Sequence, residues 1–85
     1  MKTISILGLG YIGLPTAILL ASNGNNVFGF DINENLIKNL KTNKINIKEK
    51  KIQKLYNSKK VKKNFKVNSS LKISDIYLIT TPTPI

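Results

Sequence analysis

Apolar residues come in two rhythms along this chain. Residues 3–7 (Thr-Ile-Ser-Ile-Leu), 27–30 (Val-Phe-Gly-Phe) and 76–80 (Ile-Tyr-Leu-Ile-Thr) are short runs rich in β-branched and aromatic residues, with little polar alternation. That is the pattern of parallel strands covered on both faces. Elsewhere the spacing is helical. Leu14, Ala17, Ile18 and Ala21 fall at i, i+3, i+4 and i+7, giving a helix over residues 11–22 one sheet-facing stripe. Pro15 lies in its first turn, where the missing N–H would have been unpaired anyway. Gly24 stands ready as the left-handed cap that ends it. Asn33 caps a second helix reaching residue 41, with Leu36, Ile37 and Leu40 turned inward. Residues 42–48 break the pattern, with Ile45 and Ile47 alternating between polar neighbours. A third helix is expected over 49–63, its stripe of Ile52, Leu55 and Tyr56 so thin among lysines that it must lie on the surface. Residues 65–68 read as a further short strand and 69–75 as a connection.

This order, β-α-β-α-α-β-β, is half of a doubly wound α/β fold: the N-terminal half of a Rossmann-type three-layer parallel sheet, of about four strands with helices on its faces. Right-handed crossovers place the strands in spatial order 3-2-1-4. The last strand would then be an edge, although its sequence suits a strand buried on both sides. Residues 1–85 therefore read as part of a larger nucleotide-binding domain that has been cut.

The candidate chemistry sits where the first strand meets the first helix. Gly8, Gly10 and Gly13 have G-x-G-x-x-G spacing between a strand and a helix, the context a dinucleotide fingerprint requires. Gly8 lets the chain turn sharply out of the strand, Gly10 leaves room for a pyrophosphate, and Gly13 lets the helix pack close to the strand. N–H groups of the first helical turn, aided by the helix dipole, would face the phosphates. Asp31 ends the second strand, 18 residues after Gly13, where a carboxylate takes the hydroxyls of the adenosine ribose.

Composition narrows the reading. The 85 residues make at most one small domain and contain no cysteine and no histidine, so thiol nucleophiles, thiolate ligands and imidazole bases are absent. A formal charge of +10 raises the question of nucleic acid. Every basic residue is lysine, however, and twelve of the fourteen lie between Lys38 and Lys66 with only Tyr56 and Phe65 as aromatics. Base and phosphate recognition favours arginine forks and stacking platforms, so the charge reads as a solvated lysine-rich face and excludes nucleic acid as the expected partner. No run approaches the roughly 18 apolar residues of a membrane span, and the N-terminus lacks a signal peptide's apolar core. A cytoplasmic chain without membrane contact is expected.

With glycines, ribose acid and a terminal Thr-Pro in view, the sequence resembles the nucleotide-sugar 6-dehydrogenases, the UDP-glucose/GDP-mannose dehydrogenase family, in their N-terminal NAD-binding region. The resemblance rests on residues 8–17 (Gly-Leu-Gly-Tyr-Ile-Gly-Leu-Pro-Thr-Ala), 29–33 (Gly-Phe-Asp-Ile-Asn), 45–49 (Ile-Asn-Ile-Lys-Glu) and 75–84, ending Thr-Thr-Pro-Thr-Pro. It covers the whole chain and is nearest to the branch acting on UDP-N-acetylmannosamine, with UDP-glucose the alternative. Asn43 and Lys50 depart from the pattern, standing where glycine and proline are common in the family.

The resemblance implies NAD as cofactor. It places Tyr11 and Ile12 in the phosphate-binding turn through their main-chain N–H groups, although Tyr11 would equally suit a packing position. It assigns Asp31 to the ribose, selecting NAD over NADP, and Thr83 to a cofactor contact beyond the pyrophosphate, although Thr83 before Pro84 also suits a plain turn. Glu49 would have a supporting role only, and Asp75 reads as a cap or loop residue. The family reaction takes a sugar C6 alcohol to a carboxylate in two oxidations with two NAD, through a cysteine thioester, in the service of capsule or surface polysaccharide. The cysteine, the proton-transfer groups and the UDP-sugar domains would lie beyond Ile85, so no catalytic residue is expected in this chain, which alone should be inert. The full-length protein is expected to be a homo-oligomer. Two other classes stay open: a self-sufficient nucleotide-binding regulatory module, whose melt would rise with NAD, and a basic nucleic-acid binder, whose DNA retention would fall steeply with salt.

Overall fold

The computed structural model describes residues 2–10, 12–42, 49–68 and 72–80. Four strands, β1 (Thr3–Leu7), β2 (Asn26–Phe30), β3 (Phe65–Asn68) and β4 (Ile76–Ile79), form one parallel sheet in the order β3-β2-β1-β4. The crossover rule thus gives the observed order. The helices are α1 (Gly13–Ser22), α2 (Glu34–Lys41), α3 (Lys50–Tyr56) and α4 (Lys59–Asn64).

The register explains the two faces of the sheet. Ile4 lies between Val27 and Ile76, and Val27 neighbours Phe65; Ile6 lies between Gly29 and Leu78. On this face Ile4, Ile6, Val27 and Phe65 are buried with the α1 stripe of Leu14, Ala17, Ile18 and Ala21, and with Ile52, Tyr56 and Val61 from α3 and α4. On the opposite face Ser5 is buried, sharing a 2.5 Å hydrogen bond with the Ser74 hydroxyl and donating to the Lys72 carbonyl at 3.2 Å. Asp75 pins the start of β4 to β1: its carboxylate accepts the Thr3 N–H at 3.0 Å, and its own N–H donates to the Thr3 carbonyl at 2.8 Å. Its role is structural.

Helix ends follow local chemistry. At the end of α1 the Gly24 N–H donates to the Ala21 carbonyl and the Asn25 N–H to the Leu20 carbonyl, with Gly24 at φ 95°. This is a Schellman cap, open to glycine because the left-handed conformation carries no Cβ clash. Asn33 caps α2 as its sequence suggests, its side chain accepting the Leu36 N–H at 3.1 Å.

The single helix expected over 49–63 is two. α3 stops at Tyr56, and Ser58 opens α4 by accepting the Val61 N–H at 3.3 Å while donating to the Leu55 carbonyl at 2.7 Å. The physical reason lies in Val61. In a continuous helix it would sit off the stripe of Ile52, Leu55 and Tyr56; the break re-aims the chain and buries it completely. The Tyr56 hydroxyl donates to the Leu40 carbonyl at 3.2 Å, tying α3 to α2, and burial pushes its phenol pKa above the ordinary value. The Lys62 ammonium lies 3.9 Å from the centre of the Tyr56 ring, a cation–π contact. The break expected at 42–48 falls mostly outside the described residues.

Replacing Ser58 by alanine should therefore destabilise the chain by about 0.5–2 kcal/mol in urea unfolding, since it removes the cap on which α4 depends.

Candidate functional site

The C-terminal ends of β1, β2 and β4 meet at one place, and the glycine-rich turn is built there. The Gly8 N–H extends the β1–β2 ladder, donating to the Phe30 carbonyl at 2.7 Å. Gly8 then takes φ 103°, a left-handed value that turns the chain out of the sheet. Leu9 drops back into the core at 1% exposure. It fits because Gly29 beneath it has no side chain: a Cβ there would lie 2.7 Å from Leu9 Cδ2 and 2.9 Å from the Phe65 ring. Gly10 is exposed, and a Cβ on it would have nothing within 4 Å, so the space above it is open.

Helix α1 then starts almost on top of β1. A Cβ at Gly13 would lie 1.6 Å from the Gly8 carbonyl oxygen and 2.5 Å from Thr80 Oγ1. No other residue permits this approach. Ile12, the N-cap residue, makes no side-chain capping bond, and the first turn carries no acid. Among the described residues the N–H groups of Gly10, Ile12 and Gly13 make no hydrogen bond. They form an uncapped donor set at the positive end of a helix, the physical requirement for an anion site.

Asp31 adjoins this turn. One carboxylate oxygen accepts the Leu9 N–H at 2.8 Å and the other accepts the Asn33 N–H at 2.8 Å. An ionised carboxylate offers about four lone-pair sites, so among the described residues each oxygen keeps one for a further donor. Two neighbouring hydroxyls would find both. A groove of about 620 Å³ opens beside Asp31, lined also by Phe30, Ile32, Ile37 and Lys38.

From the other side, β4 delivers Thr80. Its N–H donates to the Leu7 carbonyl at 2.9 Å, and its hydroxyl donates to the Gly8 carbonyl at 2.6 Å.

Of the residues expected from sequence, Gly8, Gly10, Ile12, Gly13 and Asp31 come together here. Tyr11 and Thr83 lie outside the described residues. The first helix starts at Gly13 rather than at residue 11, and β4 ends at Ile79 with Thr80 just past it. Glu49 is the exposed N-cap residue of α3 and makes no capping bond. Sequence reasoning missed Leu9, Gly29 and Thr80. Gly29 could have been noticed as a glycine inside a strand, which often marks close approach of another group; nothing in the sequence singles out Thr80.

Comparison with known proteins identifies the family. Residues 2–85 match the family model described as the UDP-glucose/GDP-mannose dehydrogenase family, NAD binding domain. The chain is 39% identical over 84 residues to a UDP-N-acetyl-D-mannosamine dehydrogenase of Methanococcus maripaludis, covering 99% of this chain and 20% of that protein. Among solved structures it superposes on the UDP-N-acetyl-mannosamine dehydrogenase of Staphylococcus aureus with a TM-score of 0.85 and 39% identity, covering 96% of this chain and 20% of that one. A UDP-glucose dehydrogenase from Pyrobaculum islandicum gives a TM-score of 0.71 and 27% identity over 82% of this chain and 16% of that one. The chain thus spans about a fifth of the length of the curated relatives it matches.

Gly13→Ala should be among the most damaging single-methyl additions possible here, because its Cβ meets main chain rather than a side chain that can move. A loss of about 3 kcal/mol, the upper end of the usual overpacking range, is expected in denaturant unfolding. Gly10→Ala, which meets nothing, should leave stability within about 1 kcal/mol of the parent.

Proposed function

Because the chain belongs to the UDP-glucose/GDP-mannose dehydrogenase family and matches its NAD-binding domain, we propose that the glycine turn holds the diphosphate of NAD while Asp31 holds the adenosine ribose. The observation that carries this reading is the convergence of three features at one sheet end. Among the described residues these are the unbonded N–H groups of Gly10, Ile12 and Gly13, the open space over Gly10, and a carboxylate with one free lone pair on each oxygen.

When bound, NAD supplies the hydride acceptor for oxidation of an alcohol carbon. The residues of this chain bind and orient. N–H groups at the start of α1 neutralise phosphate charge without a lysine, which keeps the contact short and directional. Gly8 and Gly13 shape the turn that presents them. Asp31 accepts two ribose hydroxyls, and its negative charge disfavours a 2′-phosphate, so NAD is selected over NADP. Tyr11, through its main chain, and Thr83 join this set by their places in the motifs.

The whole protein is proposed to oxidise a UDP-N-acetylhexosamine, UDP-N-acetylmannosamine by preference, to its uronic acid with two NAD, for capsule or surface polysaccharide. The names of the relatives matched at 39% identity support that substrate, and the 27% identity to the UDP-glucose enzyme makes UDP-glucose the second reading. We place the activity in the cytoplasm, in a homo-oligomer. Among the described residues no helix is long and apolar enough to cross a membrane. Residues 1–85 are read as the N-terminal part of the cofactor domain, with the sugar-nucleotide domains elsewhere in the protein. Three apolar residues of β4 support this: Ile76, Tyr77 and Ile79 are 40%, 49% and 73% exposed, a strand composed for burial and left uncovered. With no cysteine for a thioester, the 85-residue polypeptide by itself should oxidise no sugar nucleotide.

The test is titration of NAD and NADP against the parent and Asp31→Ala, followed by amide chemical shifts. The parent should bind NAD saturably, with shifts centred on Gly10, Ile12 and Gly13. Asp31→Ala should weaken NAD roughly tenfold to a hundredfold and narrow the gap to NADP, as loss of hydrogen bonds to a charged group implies. Unchanged discrimination between the two cofactors would remove Asp31 from the ribose.

A further inference from the structure

The turn's key peptide is gripped at both ends. The Gly8 carbonyl and the Leu9 N–H belong to one planar peptide unit, so they point in opposite directions from it. The Thr80 hydroxyl, from the end of β4, donates to the carbonyl at 2.6 Å. The Asp31 carboxylate, from the end of β2, accepts the N–H at 2.8 Å. Two side chains from strands on either side of β1 thus hold a single peptide plane. No other hydrogen bond to the Gly8 carbonyl is made among the described residues.

We infer that Thr80 is a positioning residue for cofactor binding, acting through this clamp: its hydroxyl holds the Gly8–Leu9 peptide in the one orientation that opens the turn to an anion. The inference rests on the proposed NAD site and deepens it. Glycine at position 8 leaves this peptide free to rotate, since its left-handed φ carries no side-chain barrier. Rotation would take the Leu9 N–H away from Asp31 and swing a carbonyl oxygen out from beneath Gly13. That oxygen carries partial negative charge, and it would then point where the N–H had been, at the Asp31 carboxylate, a repulsion that distorts the turn an anion would enter. Thr80 prevents this by giving the oxygen a donor on the buried side. It also explains why a threonine hydroxyl lies 2.5 Å from where a Gly13 Cβ would be: the hydroxyl, the carbonyl and the helix start share one small space. Ordering the turn before the ligand arrives removes part of the entropic cost of binding. Asp31 in turn has two tasks, one toward the peptide and one toward the ribose.

The experiment uses ¹⁵N-labelled 85-residue chain as parent, Thr80→Val, Thr80→Ser and Thr80→Ala. Two quantities are read on each: hydrogen exchange of the Leu9 amide without ligand, and the dissociation constant for NAD from chemical-shift titration. Valine keeps the shape of threonine and lacks the hydroxyl; serine keeps the hydroxyl and lacks the methyl. Serine against alanine therefore isolates the hydroxyl even if valine is not tolerated. Loss of one neutral hydrogen bond corresponds to about threefold to tenfold. Thr80→Val and Thr80→Ala should exchange the Leu9 amide faster and bind NAD more weakly by that factor, while Thr80→Ser stays within about twofold of the parent in both. If Thr80→Ser behaves as Thr80→Ala, or if the hydroxyl-free variants keep the Leu9 amide protected and bind NAD like the parent, the clamp is refuted. Failure of the NAD reading looks different: the parent itself then shows no saturable shift, and the ligand-free exchange series alone decides the clamp.

Discussion

Helix α1 begins in van der Waals overlap range of the strand it follows, and the rest of the site depends on that seat. The Gly8 carbonyl occupies the volume that any side chain at position 13 would need. With glycine there, the helix axis drops onto the end of β1, its apolar stripe reaches Ile4, Ile6 and Val27, and its first N–H groups open at the sheet edge. A helix standing a few ångströms higher would still pack, but its donors would sit away from the carboxylate at the end of β2. The seat is what makes the turn and Asp31 one site.

Nor is the turn a loose connection. Leu9 buries its side chain above Gly29, giving the fingerprint an anchor in the hydrophobic core, while its N–H reaches Asp31. Loops that bind ligands are commonly the mobile part of a fold. Here the polar accounting points the other way, because the turn spends the Gly8 and Leu9 N–H groups and the Gly8 and Gly10 carbonyls on the protein, while among the described residues the N–H groups of Gly10, Ile12 and Gly13 stay unbonded. Asp31 divides its lone pairs in the same manner, one per oxygen to main chain and one per oxygen outward.

Beyond the site the chain carries its charge lightly. The lysines of α3 and α4 lie on the solvent side of helices whose inner residues, Ile52, Tyr56 and Val61, close the core over α1. The lysines themselves are exposed, and Lys62 sets its ammonium over the face of the Tyr56 ring. The opposite side of the sheet is more open: among the described residues, Tyr77 and Ile79 of β4 lie exposed on the face away from α1.

How much of this was legible without coordinates follows from the range of each interaction. Strand pattern, the α1 stripe, the glycine spacing and the acid after the second strand are all local, and a parallel sheet with right-handed crossovers allows few orders, so β3-β2-β1-β4 and the meeting of Gly8, Gly10, Gly13 and Asp31 were determined by sequence. The break at Ser58 was hidden because Val61 is the only apolar residue of the helix after it, too little to show a change of helical face, and only the need to bury Val61 distinguishes two helices from one. Leu9 and Thr80 were hidden for a stronger reason. Their partners are 22 and 72 residues away, so their roles exist only once the ends of β2, β1 and β4 lie side by side. Sequence by itself determined that a dinucleotide fingerprint is present; tertiary structure decided what holds it in shape, because a peptide plane can be gripped from both ends only by groups the fold has brought to opposite sides of it.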